Sequence, residues 1–518
     1  MADLIFQPND EGKNPTPTPT PAPKISSRST SLIETLHIAH LSSTPLIRKD
    51  RHGRRTPLEQ LDVKLEKRLL LRSLREAGRQ VRVRFETATS DNLRKMVTMG
   101  TRALHYSGHG LENELVFQDK YGQHHGLDVD KLRELITAGG GANCIQFAFV
   151  SACHSQSAGE AFAKAGVKHV VAVQRNKKIS DNASVKFSEQ FYLALLMGRT
   201  VRESFDIGLA ALAAAPDQRT RNDANHMFIL LPLDGNHDVP IFDDLKVIDN
   251  ETNEKVVIDT TPKKPINRCD KPPALFCGRN VETQSVYELL MHTGNRCVTI
   301  HGPPGIGKTA VASRVCEYIQ DQRSFDAVYM VRLSNNGKKG SSGGKGGGGK
   351  SNRNGDEGKH GAVENPEEED TSDTYTSSSS KTKDKESKEI HYLHAFWESV
   401  GGRKQTNDSV NEDEFLTHLE QLSMRILLVL DGVQDVQMLT SLRRFVSTML
   451  NTIDDVSLLC TTTGRDIIGG ENLHGNVEKL IRLEGINAWD SARLLMARCP
   501  RKMRIRELGQ GTLKKRKV

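Results

Sequence analysis

NCIQFAFVSACHSQSAGEAFAKAGVKHVVAVQ, residues 143–174, carries two apolar runs on either side of a segment of small residues with helical spacing. The first run, read as a strand over 143–152, ends in Ser-Ala-Cys-His-Ser; SAGEAFAKAG (157–166) has helical spacing, and VKHVVAVQ (167–174) is the second strand. Working outward, TLHIAHLSS (35–43), RQVRVRFET (79–87) and RALHYSG (102–108) read as further strands. LEQLDVKLEKRLLLRSLREAG (58–78), DNLRKMVTMG (91–100) and DVDKLRELITAGG (128–140) have helical spacing between them. Such alternation predicts an α/β fold with a mostly parallel sheet and flanking helices. A hairpin-like excursion around Tyr121-Gly122 interrupts it.

A chain of 518 residues has room for two or three domains. Residues 1–30, rich in Thr and Pro, are expected to be disordered, 31–245 form the first α/β domain, and 246–273 (TTPKKPINRCDKPP within it) read as a linker. A second α/β region is expected over 274–500, broken at 334–389 by a Gly/Ser-rich and then charged insertion that cannot build a core, with a basic tail at 501–518. The eight cysteines are scattered, with no CxxC pair, which fits a reducing compartment. No apolar run reaches membrane-spanning length, and the N-terminus has no signal-peptide core, so a soluble cytoplasmic protein without membrane contact is expected. The net charge of +7 is bunched at IRKDRHGRR (47–55) and at the C-terminus, and aromatic residues make up only 5%, which argues against specific nucleic-acid binding. The closing KKRKV (514–518) resembles a monopartite nuclear localisation signal, or is a solvated basic tail.

Cys153 alone reads as one more small buried hydrophobe. A second observation changes its weight. ALHYSGHG (103–110) leads another apolar strand into Ser107-Gly108-His109-Gly110, and parallel strands bring their C-terminal ends to one edge, where α/β sheets place ligands. There an imidazole can take the proton of a thiol, a following helix N-terminus favours the thiolate, and backbone N–H groups can hold an oxyanion. His109 is then the base, Cys153 the nucleophile, and the N–H groups of Gly110 and Cys153 the oxyanion donors. His105 and His154 read as bystanders. Asp181 is either a pocket residue for a basic side chain or a helix N-cap.

LHYSGHG, VSACHSQSAGEAFAKAGVKHVVAVQ and ISDNASVKFSEQFYLALLMGRTVRESF, closing with HMFILLPLDG, resemble the CHAT domain, a caspase- and separase-like cysteine peptidase module of clan CD. The resemblance spans about 33–242. It implies a caspase-hemoglobinase-like sheet and a peptidase dyad of His109 and Cys153.

RCVTIHGPPGIGKTAVASRVCEYI (296–319) is a strand, a glycine-rich turn and a helix, and its turn satisfies G-x-x-x-x-G-K-T. Gly302, Pro303, Pro304, Gly305, Ile306, Gly307, Lys308 and Thr309 are expected to cradle phosphates, with Thr309 on Mg²⁺. RILLVLDGVQD (425–435) ends in Asp431, suited to a water-mediated Mg²⁺ contact, and VSLLCTTTGRDI (456–467) ends near Arg465, a candidate γ-phosphate sensor. With FCGR (276–279) and IRLEGINAWDSARLLMARC (481–499), these motifs resemble the NB-ARC class of STAND P-loop NTPases. That implies ATP/ADP and Mg²⁺ as cofactors, and a nucleotide switch that reshapes or homo-oligomerises the chain. Gly432 stands where many members carry a second acid, so binding is expected and fast hydrolysis is not. The resemblance ends near residue 500, short of the family's winged helix and sensing histidine. Two functions remain open: a nucleotide-regulated CHAT peptidase acting on a protein substrate in signalling or defence, or a nucleotide-dependent scaffold whose CHAT fold binds a partner and cuts nothing.

Overall fold

The computed structural model describes residues 36–501 apart from 176, 178, 219, 222–226, 249–254, 334–391, 402–410, 434–435 and 465–477. The expected Thr/Pro-rich terminus, the whole 334–389 insertion, Arg465 and the KKRKV tail lie outside those residues.

The chain opens with β1 (Leu36–Ser42), a small hairpin of β2 (Ile47–Lys49) and β3 (Arg55–Pro57), and α1 (Val63–Glu76). Then come β4 (Val81–Thr87), α2 (Ser90–Thr98) and β5 (Thr101–Ser107). β6 (Gly110–Leu111), β7 (Glu114–Gln118) and β8 (His124–Asp128) form the excursion foreseen around Gly122, whose φ of 71° suits a turn glycine. α3 (Val129–Thr137), β9 (Phe147–Ser151), α4 (Gln156–Lys164), β10 (His169–Val173), α5 (Asp181–Leu196), α6 (Val201–Ala213) and β11 (Phe228–Leu231) complete the alternation. The main sheet has the order β11-β10-β9-β5-β1-β4-β12, where β12 is Val257–Asp259. All its pairings are parallel except β10 with β11. One apolar cluster, with Leu70, Phe187, Phe191 and Leu212, covers one face, and another, with Leu93, Leu132 and Phe162, covers the other.

Two sequence readings are corrected. The strand expected from residue 143 begins at Phe147, because Ala138–Cys144 winds as a 3₁₀ segment through Gly139 and Gly140 at positive φ. The helix expected from Leu58 begins at Val63, where the Asp62 side chain accepts from the Leu65 N–H and caps it. Residues 58–62 are therefore free to run along the surface.

The second sheet is parallel throughout, in the order β13-β15-β16-β17-β14-β18. Its strands are β13 (Ile266–Arg268), β14 (Cys297–His301), β15 (Ala327–Arg332), β16 (Ile426–Val433), β17 (Val456–Thr462) and β18 (Lys479–Arg482). Around it lie α7 (Asn280–Met291), α8 (Lys308–Gln322), α9 (Glu412–Gln421), α10 (Val436–Thr452) and α11 (Ala488–Arg498). The segment read as a linker thus supplies an edge strand to each sheet, β12 to the first and β13 to the second. Among the described residues no helix is long and apolar enough to cross a membrane.

Candidate functional site

β5 and β9 are neighbours, and Ser107 pairs with Ser151 at their last position. His109 and Cys153 each lie two residues beyond that pair, on one edge of the sheet. Both line a single cavity of about 580 Å³. The Cys153 Sγ is half-buried and 3.9 Å from the Ile179 carbonyl oxygen, and among the described hydrogen bonds none joins it to His109. His109 Nε2 lies 2.8 Å from the Glu59 carbonyl oxygen. A carbonyl only accepts, so Nε2 carries the hydrogen and Nδ1 is the basic atom of the neutral ring.

The neighbourhood of Gly110 is set by backbone pairing. The Val116 N–H donates to the His109 carbonyl, which makes Gly110 and Leu115 a non-hydrogen-bonded pair of the ladder and leaves the Gly110 N–H outside it. A Cβ at Gly110 would run into the Cys153 carbonyl, so only glycine fits this approach. His154 adopts φ 56°, and its N–H donates to the Lys177 carbonyl at 3.1 Å, turning the chain from β9 into α4. Ser155 secures the turn: its Oγ donates to the Val150 carbonyl and accepts from the Val173 N–H, both at 2.9 Å.

The cavity is acidic. Glu59, Asp62, Glu66, Asp181 and Asp217 line it, and among the described residues no lysine or arginine does. Asp181 is the first residue of α5, whose N-cap is Ser180, so the cap and pocket readings of Asp181 resolve in favour of the pocket. Burial, then the charges of Glu59 and Glu66, raise its carboxyl above the usual range. Glu66 went unnoticed in the sequence. It shares the buried stripe of α1 with Leu70, Ser73 and Leu74, and an acid at that spacing was the available signal.

The glycine-rich turn between β14 and α8 is the second constellation. Gly302, Gly305 and Gly307 have φ of 153°, 76° and 102°, and a Cβ at Gly305 or Gly307 would meet nothing within 4 Å. Lys308 Nζ folds back on the turn, donating to the carbonyls of Gly302 (2.8 Å) and Pro303 (3.0 Å). β17 separates β14 from β16, yet Thr309 Oγ1 reaches Asp431 Oδ1 at 2.8 Å, and Thr461 Oγ1 reaches the same atom at 2.6 Å. Arg279, buried at the start of α7, holds the turn by donating to the carbonyls of Ile306 and Glu484. Ile306 is half-buried in the turn, and Pro303 and Pro304 are exposed.

The two sheets are packed against each other through charged and apolar contacts. Glu288 on α7 pairs with Lys49 (3.2 Å) and Arg55 (2.8 Å) from the β2–β3 hairpin. Lys64 on α1 pairs with Glu317 (2.6 Å) and Asp321 (3.0 Å) on α8. Leu46 and Ile47, fully buried, sit in a cluster with Tyr287, Leu290, Val315 and Tyr318.

Comparison with known proteins finds a family match in the first part of the chain. The CHAT domain family model matches residues 22–228, a span that holds both His109 and Cys153. No curated protein matches the chain. Among solved structures, the Arg-specific cysteine proteinase gingipain R shows 13% identity and a TM-score of 0.30, over 45% of this chain and 52% of that one. The complex of Porphyromonas gingivalis RgpB pro- and mature domains gives 13% and 0.27, over 45% and 53%. An ADP complex of Bacillus subtilis pyridoxal kinase gives 11% and 0.18, over 35% and 92%. The chain spans about half the length of the gingipain structures it matches.

Proposed function

We propose that residues 31–245 form a cysteine endopeptidase of CHAT type and that the 274–500 region is a nucleotide-binding switch that governs it. The observation that carries the peptidase reading is the β5–β9 register, which sets His109 and Cys153 at equal distance beyond one strand pair and on one cavity. In the step proposed, His109 Nδ1 takes the thiol proton and the Cys153 sulfur attacks the amide carbon. The N–H groups of Cys153 and Gly110 hold the oxyanion. The C–N bond breaks, the amine leaves with the proton from His109, and water then hydrolyses the thioester. The five carboxylates that line the cavity favour a basic side chain next to the scissile bond.

The second half supports nucleotide binding by its donor set. Three loop glycines at positive φ open their N–H groups, Lys308 donates to two loop carbonyls that a phosphate could replace, and Thr309 and Asp431 present hard oxygen donors side by side. ATP or ADP would lie on residues 302–309, with Mg²⁺ at Thr309 and Asp431. The contacts of α7 and α8 with the β2–β3 hairpin and α1 give the switch a physical path to the peptidase.

The test is a thiol-directed activity probe on the full chain, with and without ATP. Labelling of Cys153 that is lost in His109→Ala, and a fluorescent ATP analogue that binds wild type but not Lys308→Ala, are expected. No labelling at Cys153 under either condition would favour the scaffold reading.

A further inference from the structure

Beneath the catalytic edge, three ionisable side chains meet that the proposed chemistry does not use. His40 on β1 and His105 on β5 are register partners on adjacent parallel strands, so their side chains leave the sheet on the same face. Their rings stack with centroids 4.5 Å apart. Glu66 reaches them from α1. His40 and His105 are 1% exposed and Glu66 is 7% exposed.

The atoms facing the shared space are poorly satisfied. His40 Nδ1 and Nε2, His105 Nε2 and Glu66 Oε1 are all buried without a well-formed hydrogen bond, although the last two face each other at 3.3 Å. A buried polar atom left bare costs roughly 1–3 kcal/mol, so a buried histidine with both nitrogens bare, stacked on a buried His–Glu pair, is not an ordinary core. The outward-facing atoms, in contrast, are held. Ser107 Oγ donates to Glu66 Oε2, and His105 Nδ1 lies 3.0 Å from the Tyr192 hydroxyl. For Glu66 and His105, outer atoms fixed in this way match the outer shell that orients metal ligands; His40 is held by its stacking on His105.

We propose that His40, Glu66 and His105 bind a divalent first-row metal ion, Zn²⁺ before others, which pins α1 to β1 and to β5, the strand that leads to His109. One ligand atom from each residue lies within 4.8 Å of the other two. Tetrahedral Zn²⁺, about 2.0–2.2 Å from nitrogen and oxygen ligands, sets neighbouring ligand atoms about 3.3 Å apart. His105 Nε2 and Glu66 Oε1 are 3.3 Å apart already. Two imidazoles and one carboxylate are a borderline donor set suited to Zn²⁺. A simple His105–Glu66 ion pair accounts for two of the residues and leaves both nitrogens of buried His40 bare. His40 also lines the cavity of about 400 Å³ between α1 and α8, which gives the ion a way in and room for water as a fourth ligand. Through Ser107, the site reaches the chain two residues before His109. The binding claim does not depend on the peptidase reading.

The test uses the full chain in its Cys153→Ala form, stripped with chelator and titrated with Zn²⁺ and with Co²⁺ as a spectroscopic probe. One equivalent per chain is expected, with a Tm rise of roughly 5 °C or more at a hundredfold excess over Kd. Bound Co²⁺ should show the visible bands of a tetrahedral nitrogen and oxygen site without a thiolate charge-transfer band, which separates it from binding at cysteines. His40→Gln should abolish both effects. Should that variant fail to fold, the Co²⁺ spectrum of the parent chain still decides. Absence of a bound equivalent, a thiolate band, or unchanged binding in folded His40→Gln overturns the proposal.

Discussion

Leu46→Ala tests whether the two α/β sheets form one packed body. Leu46 belongs by sequence to the first sheet's half, yet its side chain is fully buried among Val286, Tyr287, Leu290 and Tyr318 of the other half. Its backbone is held by the Gly122 carbonyl (2.9 Å) and by the Leu58 N–H (3.0 Å), so truncation leaves the hairpin in place and opens a cavity at the contact. Deleting a fully buried leucine costs about 3 kcal/mol or more, because the neighbours close in only partly. Set against the docking of the two halves, that is about a hundredfold in the docking equilibrium. The polar contacts add less, since Lys49, Arg55 and Lys64 are each about a third to a half exposed and such pairs contribute about 0.2–1 kcal/mol each. Hydrogen exchange should therefore speed up across the β2–β3 hairpin and along α8, and calorimetry should split one transition into two. Wild-type exchange at both places, with an unchanged thermogram, would refute the claim that apolar packing joins the halves.

Asp181→Asn should lower kcat/KM for substrates with arginine at the cleavage position by about tenfold while leaving uncharged substrates nearly unaffected, as read with a peptide library. Gly432→Ala should lower the denaturation midpoint by an amount equal to about 1 kcal/mol, because φ there is 82° and a Cβ is strained even in open space; an unchanged midpoint would show that the strand end relaxes. His169 Nδ1 and His237 Nδ1 lie 2.9 Å apart, and His237 Nε2–H donates to the Pro232 carbonyl, so a single hydrogen fits between the two Nδ1 atoms and the pair has no room for both rings to be charged. Burial, then the His237 charge, pushes His169 down from 6.5 to about 4, and burial lowers His237 as well. The unfolded chain binds more protons between those values, so stability should fall as pH drops from about 6.5 to about 4. Urea midpoints across that window should decline less steeply in His237→Asn than in wild type.

The alternation of strands and helices was legible because buried parallel strands read as apolar runs and Gly-rich turns punctuate them, and the two strand-end residues His109 and Cys153 followed from it. What escaped was whatever depends on meeting in space. Glu59 acts through its carbonyl, which no side-chain pattern reveals. His105 was set aside as a strand residue because its partners, His40 and Glu66, lie 65 and 39 positions away in sequence, on another strand and on a helix. Gly432 reads in the sequence as a missing acid; its left-handed backbone gives a physical reason for glycine there, where a strand must turn beside Thr461. The helix start expected at Leu58 hid a stretch that connects both halves of the chain.

That stretch, residues 58–66, is where the two halves converge on the candidate dyad. The Leu58 carbonyl accepts from the Asn280 side chain at the start of α7, and the next residue, Glu59, holds the ring of His109. Asp62 caps α1 and lines the acidic cavity, Lys64 is clamped to α8, and Glu66 holds Ser107. α8 begins at Lys308 of the glycine-rich turn, so one rigid helix has the phosphate-type loop at one end and the anchors of Lys64 on its flank. A shift of α8 against the first sheet would have to move Lys64 or break both of its ion pairs. Moving Lys64 drags the capped first turn of α1, and with it the carbonyl that fixes the His109 tautomer. On the proposed switch reading, the aim of the His109 ring, rather than access to Cys153, is what a movement of α8 would change first.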